Sequence, residues 1–200
     1  TFPVGTKLWK EFRWNDKRIE TRLFWKLSSS LWVRTAYKWN DDDSEATRTG
    51  GEDLELDGYT YHIPSTVECD RCHGGRPDKS LGFEAVLLGL PGATGVTLDT
   101  LETEGLLSGG SLPAIALGDD GTAYGAQAMS WLHVNCGISC HNGTPTANAY
   151  STNLRMRLLV AEADGSSTED TEISTTAIGQ STVVGAWPGT RIVPGDPEDS

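Results

Sequence analysis

The four cysteines of this chain occur as two pairs, and a histidine directly follows the second cysteine of each pair. The first motif spans residues 69–73 (C-D-R-C-H), and the second spans residues 136–141 (C-G-I-S-C-H), with one more residue between its cysteines. Because Cys and His each make up four of the 200 residues, chance would place about 0.002 C-x-x-C-H motifs in such a chain. The repeat therefore constrains the fold: each motif has to bring two thiols and one imidazole together.

The C-x-x-C-H spacing is the attachment sequence of c-type haem. Two thiols form thioethers with the two vinyl groups of one porphyrin, and the adjacent histidine binds the iron from one face. The sequence thus predicts two covalently bound haem c groups, the second of them at the longer motif. The predicted thioether donors and proximal iron ligands are Cys69, Cys72, Cys136 and Cys140, and His73 and His141, respectively.

The same residues leave other chemistries open. The four cysteines have spacings that a structural zinc site tolerates, although zinc would leave both Cys-His junctions unexplained. Two local disulfides in an exported protein, or one haem together with one disulfide, are also compatible with the sequence. A thioredoxin-like redox centre needs a strand, then C-x-x-C, then a helix, and residues 61–80 do not predict that context.

An iron that only passes electrons needs a sixth ligand, whereas an open position permits binding or catalysis. The candidates for this distal ligand are His133 and Met156. His133 lies three residues before Cys136 on a predicted helix, so we expect it to reach the haem of the first motif. Met156 follows the second motif, where class I cytochromes place their methionine. For His62 and Met129, surface and core roles are expected instead.

Residues 1–65 predict β-structure. In residues 31–39 two sets of side chains alternate with a period of two, and one set carries long cationic residues. Residues 6–14 and 19–27 repeat this pattern more loosely, with turn-type breaks at residues 15–16 and 28–30. Five of the seven tryptophans lie in this stretch, where we expect them to form the core and rim of a sheet.

The pattern changes after residue 80. Short helices are predicted at residues 83–90 and 97–105, the second with Thr97 as its cap and Gly105 at its end. Residues 123–135 predict the clearest helix, which runs straight into Cys136. Residues 154–161 and 173–184 predict strands. The sequence therefore predicts an α+β protein.

Charge divides the chain in the same way as the secondary-structure pattern. Residues 1–50 hold ten Lys/Arg and seven Asp/Glu, whereas residues 51–200 hold six and twenty-one. We expect two domains: residues 1–80, a β-rich sheet or sandwich module that ends in the first haem motif, and residues 81–200, a small helical cytochrome c-like haem module. The net charge of -12 disfavours nucleic acid as a partner, and the acidic second part suits a basic redox partner protein. No run of 18 apolar residues is present, so no membrane span is expected.

The chain resembles exported dihaem cytochrome c-like proteins that are abundant in myxobacteria. The likeness lies in short segments that keep their order over nearly the whole chain: residues 2–6, 19–23, 37–40, 62–65, 69–73, 81–83, 132–142 and 191–197. The resemblance implies covalent haem, a periplasmic or extracellular location, and electron transfer. In such proteins the Pro-Gly-Asp-Pro segment is usually followed by Met-Pro-Pro, a source of an axial methionine. We therefore expect the native chain to continue past Ser200.

The general layout is also similar to that of cytochrome P460-like proteins, which combine a β-rich body with one late C-x-x-C-H motif and oxidise small nitrogen compounds. We expect an exported dihaem c-type cytochrome that transfers electrons rather than a catalyst, because no acid–base constellation stands out beside the motifs. Two alternatives stay open. One is a haem enzyme with an open iron site, P460-like or peroxidase-like. The other is a structural cytochrome subunit of a homo-oligomeric surface assembly or filament.

Overall fold

The computed structural model describes residues 1–108, 112–122, 124–165, 167–182 and 189–200. The chain divides into two compact units, residues 1–79 and residues 80–200, next to the boundary that the sequence suggests. The first unit is mostly sheet and the second carries short helices. The predicted α+β class is confirmed.

The first unit is built on a four-stranded antiparallel sheet in which each strand pairs with the next along the chain. The period-two alternation of the sequence is confirmed here, because alternate side chains lie on opposite faces of a strand. Asn15 and Asp16 form the first hairpin turn with φ angles of 46° and 64°, the backbone that a two-residue type I′ turn requires. The strands are β1 (Lys7–Trp14), β2 (Lys17–Lys26), β3 (Trp32–Trp39) and β4 (Ala46–Thr49).

A second hairpin, β5 (Glu52–Leu56) and β6 (Tyr59–Ile63), turns at Asp57-Gly58, where both residues have positive φ. Residues 66–73 then form helix α1 (Thr66–His73), which contains the whole first motif. This helix was not predicted from the sequence. Its signal is the capping box at Ser65 and Glu68: the Ser65 hydroxyl accepts the Glu68 N–H, and the Glu68 carboxylate accepts the Ser65 N–H.

The cationic face of the sheet is the face on which α1 lies. Arg34 of β3 donates to Asp70 of α1 at 2.7 Å, and the ring of Phe24 in β2 contacts that of His73. Lys26 is 3% exposed and pairs with Asp78. Partners of this kind offset the cost of burying long cationic side chains. The sheet therefore holds the first motif through paired charges as well as through apolar contacts.

In its described residues, the second unit has four α-helices and one π-helix around one apolar core, joined by irregular chain and 3₁₀ turns. Its core residues are Val86, Ile115, Met129, Leu158, Ala163 and Ile173. The α-helices are α2 (Ala85–Gly89), α3 (Leu98–Thr103), α4 (Gly125–Leu132) and α5 (Glu172–Ala177), and a π-helix (His133–Gly137) continues α4. Two single 3₁₀ turns, Tyr150–Thr152 and Val160–Glu162, complete the unit.

Helices α2, α3 and α4 agree with the helices predicted from the sequence, whereas the two strand predictions are wrong in whole or in part. The predicted α2 and α3 are confirmed, and Thr97 caps α3 as expected. The predicted strand at 154–161 is wrong, because this segment is irregular and ends in a 3₁₀ turn. The predicted strand at 173–184 is wrong for residues 173–177, where Thr171 caps helix α5 despite its β-branched composition. Residues 183–184, like Ala123 at the start of the predicted third helix, lie outside the described residues.

Within the described ranges, every helix is too short or too polar to cross a bilayer.

Candidate functional site

The first motif lies on one face of α1. Cys69, Cys72 and His73 are spaced i, i+3 and i+4, which are neighbouring positions on a helix surface. The Cys69 side chain is half-buried, and that of Cys72 is exposed. Two thiols and one imidazole thus occupy one side of a single helical turn.

His73 is held in one orientation by the backbone and by an aromatic ring. Its Nδ1 lies 2.5 Å from the carbonyl oxygen of Lys79, so Nδ1–H donates to that oxygen. The ring centroid lies 4.4 Å from that of Phe24. Burial is the main cause that lowers the pKa of His73, with the charges of Arg22 and Arg34 acting in the same direction. A neutral ring that is protonated at Nδ1 leaves Nε2 as the nitrogen that could bind a metal.

The Cys69 thiol does not have the character of a redox nucleophile. Burial raises the pKa of Cys69, even though Arg22 and Arg34 favour the thiolate. Reactive C-x-x-C thiols in disulfide oxidoreductases have a lowered pKa instead. The motif also lies inside a helix rather than between a strand and a helix. Both observations disfavour the thioredoxin-like alternative.

The second motif is wound more loosely than the first. Residues His133–Gly137 form a π-helix, in which the Ile138 N–H donates to the carbonyl of His133, five residues earlier, at 2.9 Å. The same winding continues through the motif. The carbonyl of Cys136 accepts the His141 N–H at 2.8 Å and the Cys140 N–H at 3.2 Å.

This winding accommodates the extra residue of the longer motif. In an α-turn the residues at i, i+3 and i+4 are neighbours, whereas a turn closed by an i→i+5 hydrogen bond makes i, i+4 and i+5 neighbours. Cys136, Cys140 and His141 have that second spacing. They are therefore brought to one side of their turn, as are the corresponding residues of the first motif.

The segment after residue 153 holds the second motif in place. The Nδ1 of His141 lies 3.3 Å from the carbonyl oxygen of Leu154, and the Met156 N–H donates to the His141 carbonyl at 2.8 Å. Gly137 lies so close to this segment that a Cβ atom on it would be 2.3 Å from the Met156 carbonyl oxygen. His141 thus shares with His73 an Nδ1 that faces a backbone carbonyl, which leaves Nε2 as the possible metal ligand.

His133, the predicted distal ligand, belongs to a buried hydrogen-bond network in this structure. Its side chain is fully buried, and both ring nitrogens have partners. Nδ1 accepts the Leu158 N–H at 3.0 Å, so Nε2 carries the proton and donates to Glu84 at 2.8 Å. Arg157 approaches the other Glu84 oxygen at 3.4 Å. The sequence could not show this, because Glu84 lies 49 residues before His133.

The side chains of Met156, Met129 and His62 also have packing or ion-pairing partners. Met156 packs against the core of the second unit, and Met129 belongs to that core. His62 is exposed, with Nδ1 2.6 Å from Asp53 and Nε2 3.1 Å from Glu68. In the described part of the chain, these residues therefore act in packing and ion pairing.

All four cysteines are free thiols. Among the described residues, no three His, Cys, Asp or Glu side chains converge in a way that could hold a metal ion. The donor set at each motif is two thiols and one imidazole nitrogen, which is the set that a covalently attached haem requires.

Acidification is expected to weaken the cap of α1. The Glu68 carboxylate accepts hydrogen bonds from the Ser65 N–H and hydroxyl and from His62, which lowers the pKa of Glu68 from 4.5 to about 2. Because the pKa is depressed in the folded state, this contribution is complete above pH 4.5 and is lost as the pH falls through the folded value. Relative to the intrinsic exchange rate at each pH, amide exchange in residues 66–69 should therefore accelerate as the pH falls between these two values.

The matched control is Glu68→Gln, whose side chain does not titrate. In that variant the acceleration in residues 66–69 should vanish while the rest of the unit is unchanged. An equal pH response in both proteins would contradict the role of Glu68.

No protein-family model, no curated protein and no solved structure matches this chain.

Proposed function

We propose that each motif binds one covalent c-type haem and that the protein is an exported electron carrier. One observation supports this most directly. Motifs of different length arrive at the same arrangement, with two thiols and a histidine anchored through Nδ1 on one side of a turn. Structural cysteines would not require a histidine in that position or with that orientation.

In this proposal Cys69 and Cys72 hold the first haem and Cys136 and Cys140 hold the second. The Nε2 atoms of His73 and His141 are the proximal ligands. A bound haem supplies one-electron chemistry at its iron. The chain orients each imidazole through the carbonyls of Lys79 and Leu154, and a hydrogen bond of this kind makes the other nitrogen a better donor.

We also propose where the protein acts and what kind of partner it binds. Attachment of haem to this motif class takes place outside the cytoplasm, so the mature protein belongs to the periplasm or the cell exterior. Residues 80–200 carry fourteen Asp/Glu and only three Lys/Arg. Such a surface favours rapid association with a basic redox partner protein, and more so at low ionic strength.

The haem proposal is tested by the mass of the denatured, haem-matured chain. The native protein should retain two haem masses, and the double variants Cys69→Ala/Cys72→Ala and Cys136→Ala/Cys140→Ala should each retain one. A pyridine haemochrome spectrum should give the same stoichiometry. Ser139→Ala, which changes the second motif but none of its donors, is the control and should keep both. A native chain with no added mass would overturn the proposal.

A second candidate function is a haem enzyme with an open iron position. It is favoured by the engagement of both His133 nitrogens and by the packing of Met156 against the core, since these two residues were the distal candidates. The same reduced samples discriminate between the two functions. Rapid binding of carbon monoxide indicates an open iron and favours the enzyme, whereas a low-spin spectrum that carbon monoxide does not change favours the electron carrier.

A further inference from the structure

The second unit contains a cavity of about 510 Å³ whose described lining includes none of the motif residues. It lies among α4, α5 and the chain at residues 119–120 and 167–169. Its volume is in the range of pockets that bind small organic molecules. The two proposed haem sites do not include this cavity, so the function of the cavity has to be sought separately.

The floor of the cavity is apolar. Met129 and Leu132 contribute from α4, Ile173 contributes from α5, and Ile178 and Ile192 complete this surface. The last two are 44% and 39% exposed. Covering apolar side chains of this size removes surface from water, at a gain of roughly 25 cal/mol for each Å². The floor therefore favours a ligand with an apolar body.

The polar part of the lining is anionic. Asp119, Asp120 and Glu169 line the cavity, and its described lining contains no Lys, Arg or His. Hydrogen bonds from the backbone and hydroxyl of Thr122 lower the pKa of Asp120. Asp119 accepts the Gly121 N–H at 2.8 Å. These hydrogen bonds come from neutral donors, so they leave the negative charges of the rim uncompensated.

The cations of this unit are engaged elsewhere. Arg155 donates to Tyr150, Arg157 donates to Glu84, and Arg191 donates to the carbonyls of Thr152 and Thr176. The described lining thus combines an apolar floor with three carboxylates. Charge complementarity favours a cationic ligand, and the apolar floor favours a ligand that also has an apolar body.

We propose that this cavity binds a small organic cation, an amine with an apolar body. The amine lies at Asp119, Asp120 and Glu169, and the apolar body covers Met129, Leu132 and Ile173. This site is independent of haem. A carboxylate of the same size is repelled by the rim, and an alcohol of the same size gains only the apolar contact.

Three probes of equal length test the proposal on the full chain: n-hexylammonium, n-hexanol and n-hexanoate. Binding is followed through the amide signals of α4 and α5 by NMR. Hexylammonium should bind at least about threefold more tightly than hexanol, because partly exposed ion pairs contribute up to about fivefold each. Hexanoate should bind most weakly. High salt should reduce the preference for the amine, since it screens exposed charges.

Two variants and one control complete the test. Asp119→Asn/Glu169→Gln should reduce the affinity for hexylammonium and leave hexanol unchanged. Glu102→Gln makes the same chemical change in the wall of a different cavity and should have no effect. Ala128→Trp, at an exposed position in the lining, should block all three probes. Equal affinities for the three probes, or no saturable shift with hexylammonium, would overturn the proposal.

Discussion

Replacing His133 with alanine should destabilise the second unit by about 3–5 kcal/mol, because each buried hydrogen-bonding group left without its partner costs about 1–3 kcal/mol and the cavity adds to that cost. The substitution leaves the Glu84 carboxylate, which is 8% exposed, without its imidazole donor, and it leaves the buried Leu158 N–H without an acceptor. It also creates a cavity next to Leu158. Chemical denaturation of the haem-free chain, followed by the amide signals of residues 80–200, measures the loss.

The haem-free chain is the important sample, because it separates a structural role from a ligand role. If His133 were only an iron ligand, its removal would not change the stability of a chain without iron. His62→Ala is the matched control, since His62 is exposed and its removal should change the stability of the second unit very little. Equal stabilities of His133→Ala and the native haem-free chain would contradict the network of Glu84, His133 and Leu158.

Replacing Gly137 with alanine should produce a second large effect. The new Cβ would lie 2.3 Å from the Met156 carbonyl oxygen and 2.5 Å from the Arg157 nitrogen. Both are backbone atoms, so the clash cannot be relieved by rotating a side chain. Overpacking of this kind costs about 1–3 kcal/mol, and sometimes more when backbone has to move. Thermal unfolding of the haem-free chain measures the cost.

This substitution should also act on the second haem more than on the first. Moving residues 156–157 away from Gly137 disturbs the neighbouring contact of His141 with Leu154. Because thioether bonds survive such a displacement, the haem-matured variant should keep both proposed haems, but the spectrum and potential of the haem at Cys136 and Cys140 should change while those of the haem at Cys69 and Cys72 do not. Gly143→Ala is the control, because a Cβ there meets nothing within 4 Å. Comparable stability and haem spectra in the two variants would show that the close approach at Gly137 is unimportant.

The sheet and the donor residues are visible in the sequence because they depend on local pattern. The alternation in residues 31–39 predicts β3, and the cap at Thr97 predicts α3. Helix α1 was predictable as well, since Ser65 and Glu68 form a standard capping box. The strand prediction at 173–184 is wrong for residues 173–177, because Thr171 caps a helix there although the segment contains β-branched residues.

Other features of the candidate site depend on contacts between distant residues. Nothing in the sequence pairs Glu84 with His133, although this pair engages the Nε2 atom of the predicted distal ligand. The acceptors for His73 and His141 are backbone carbonyls, which every residue possesses and which composition therefore cannot identify. The hydrogen bonds of the π-helix are likewise formed by backbone groups, so no residue type in the sequence predicts them.

The π-turn at residues 133–141 has a consequence for how such motifs are searched for. A pattern defined by a fixed number of intervening residues treats an insertion as the loss of the motif. In a helix, however, the direction in which a side chain points depends on its angle around the axis, and a wider turn restores that angle after one insertion. Searches for paired cysteines followed by histidine should therefore test whether the three side chains point in the same direction around the helix axis, as well as counting the residues between them. They should also include motifs that follow a helix such as α4 and contain one inserted residue.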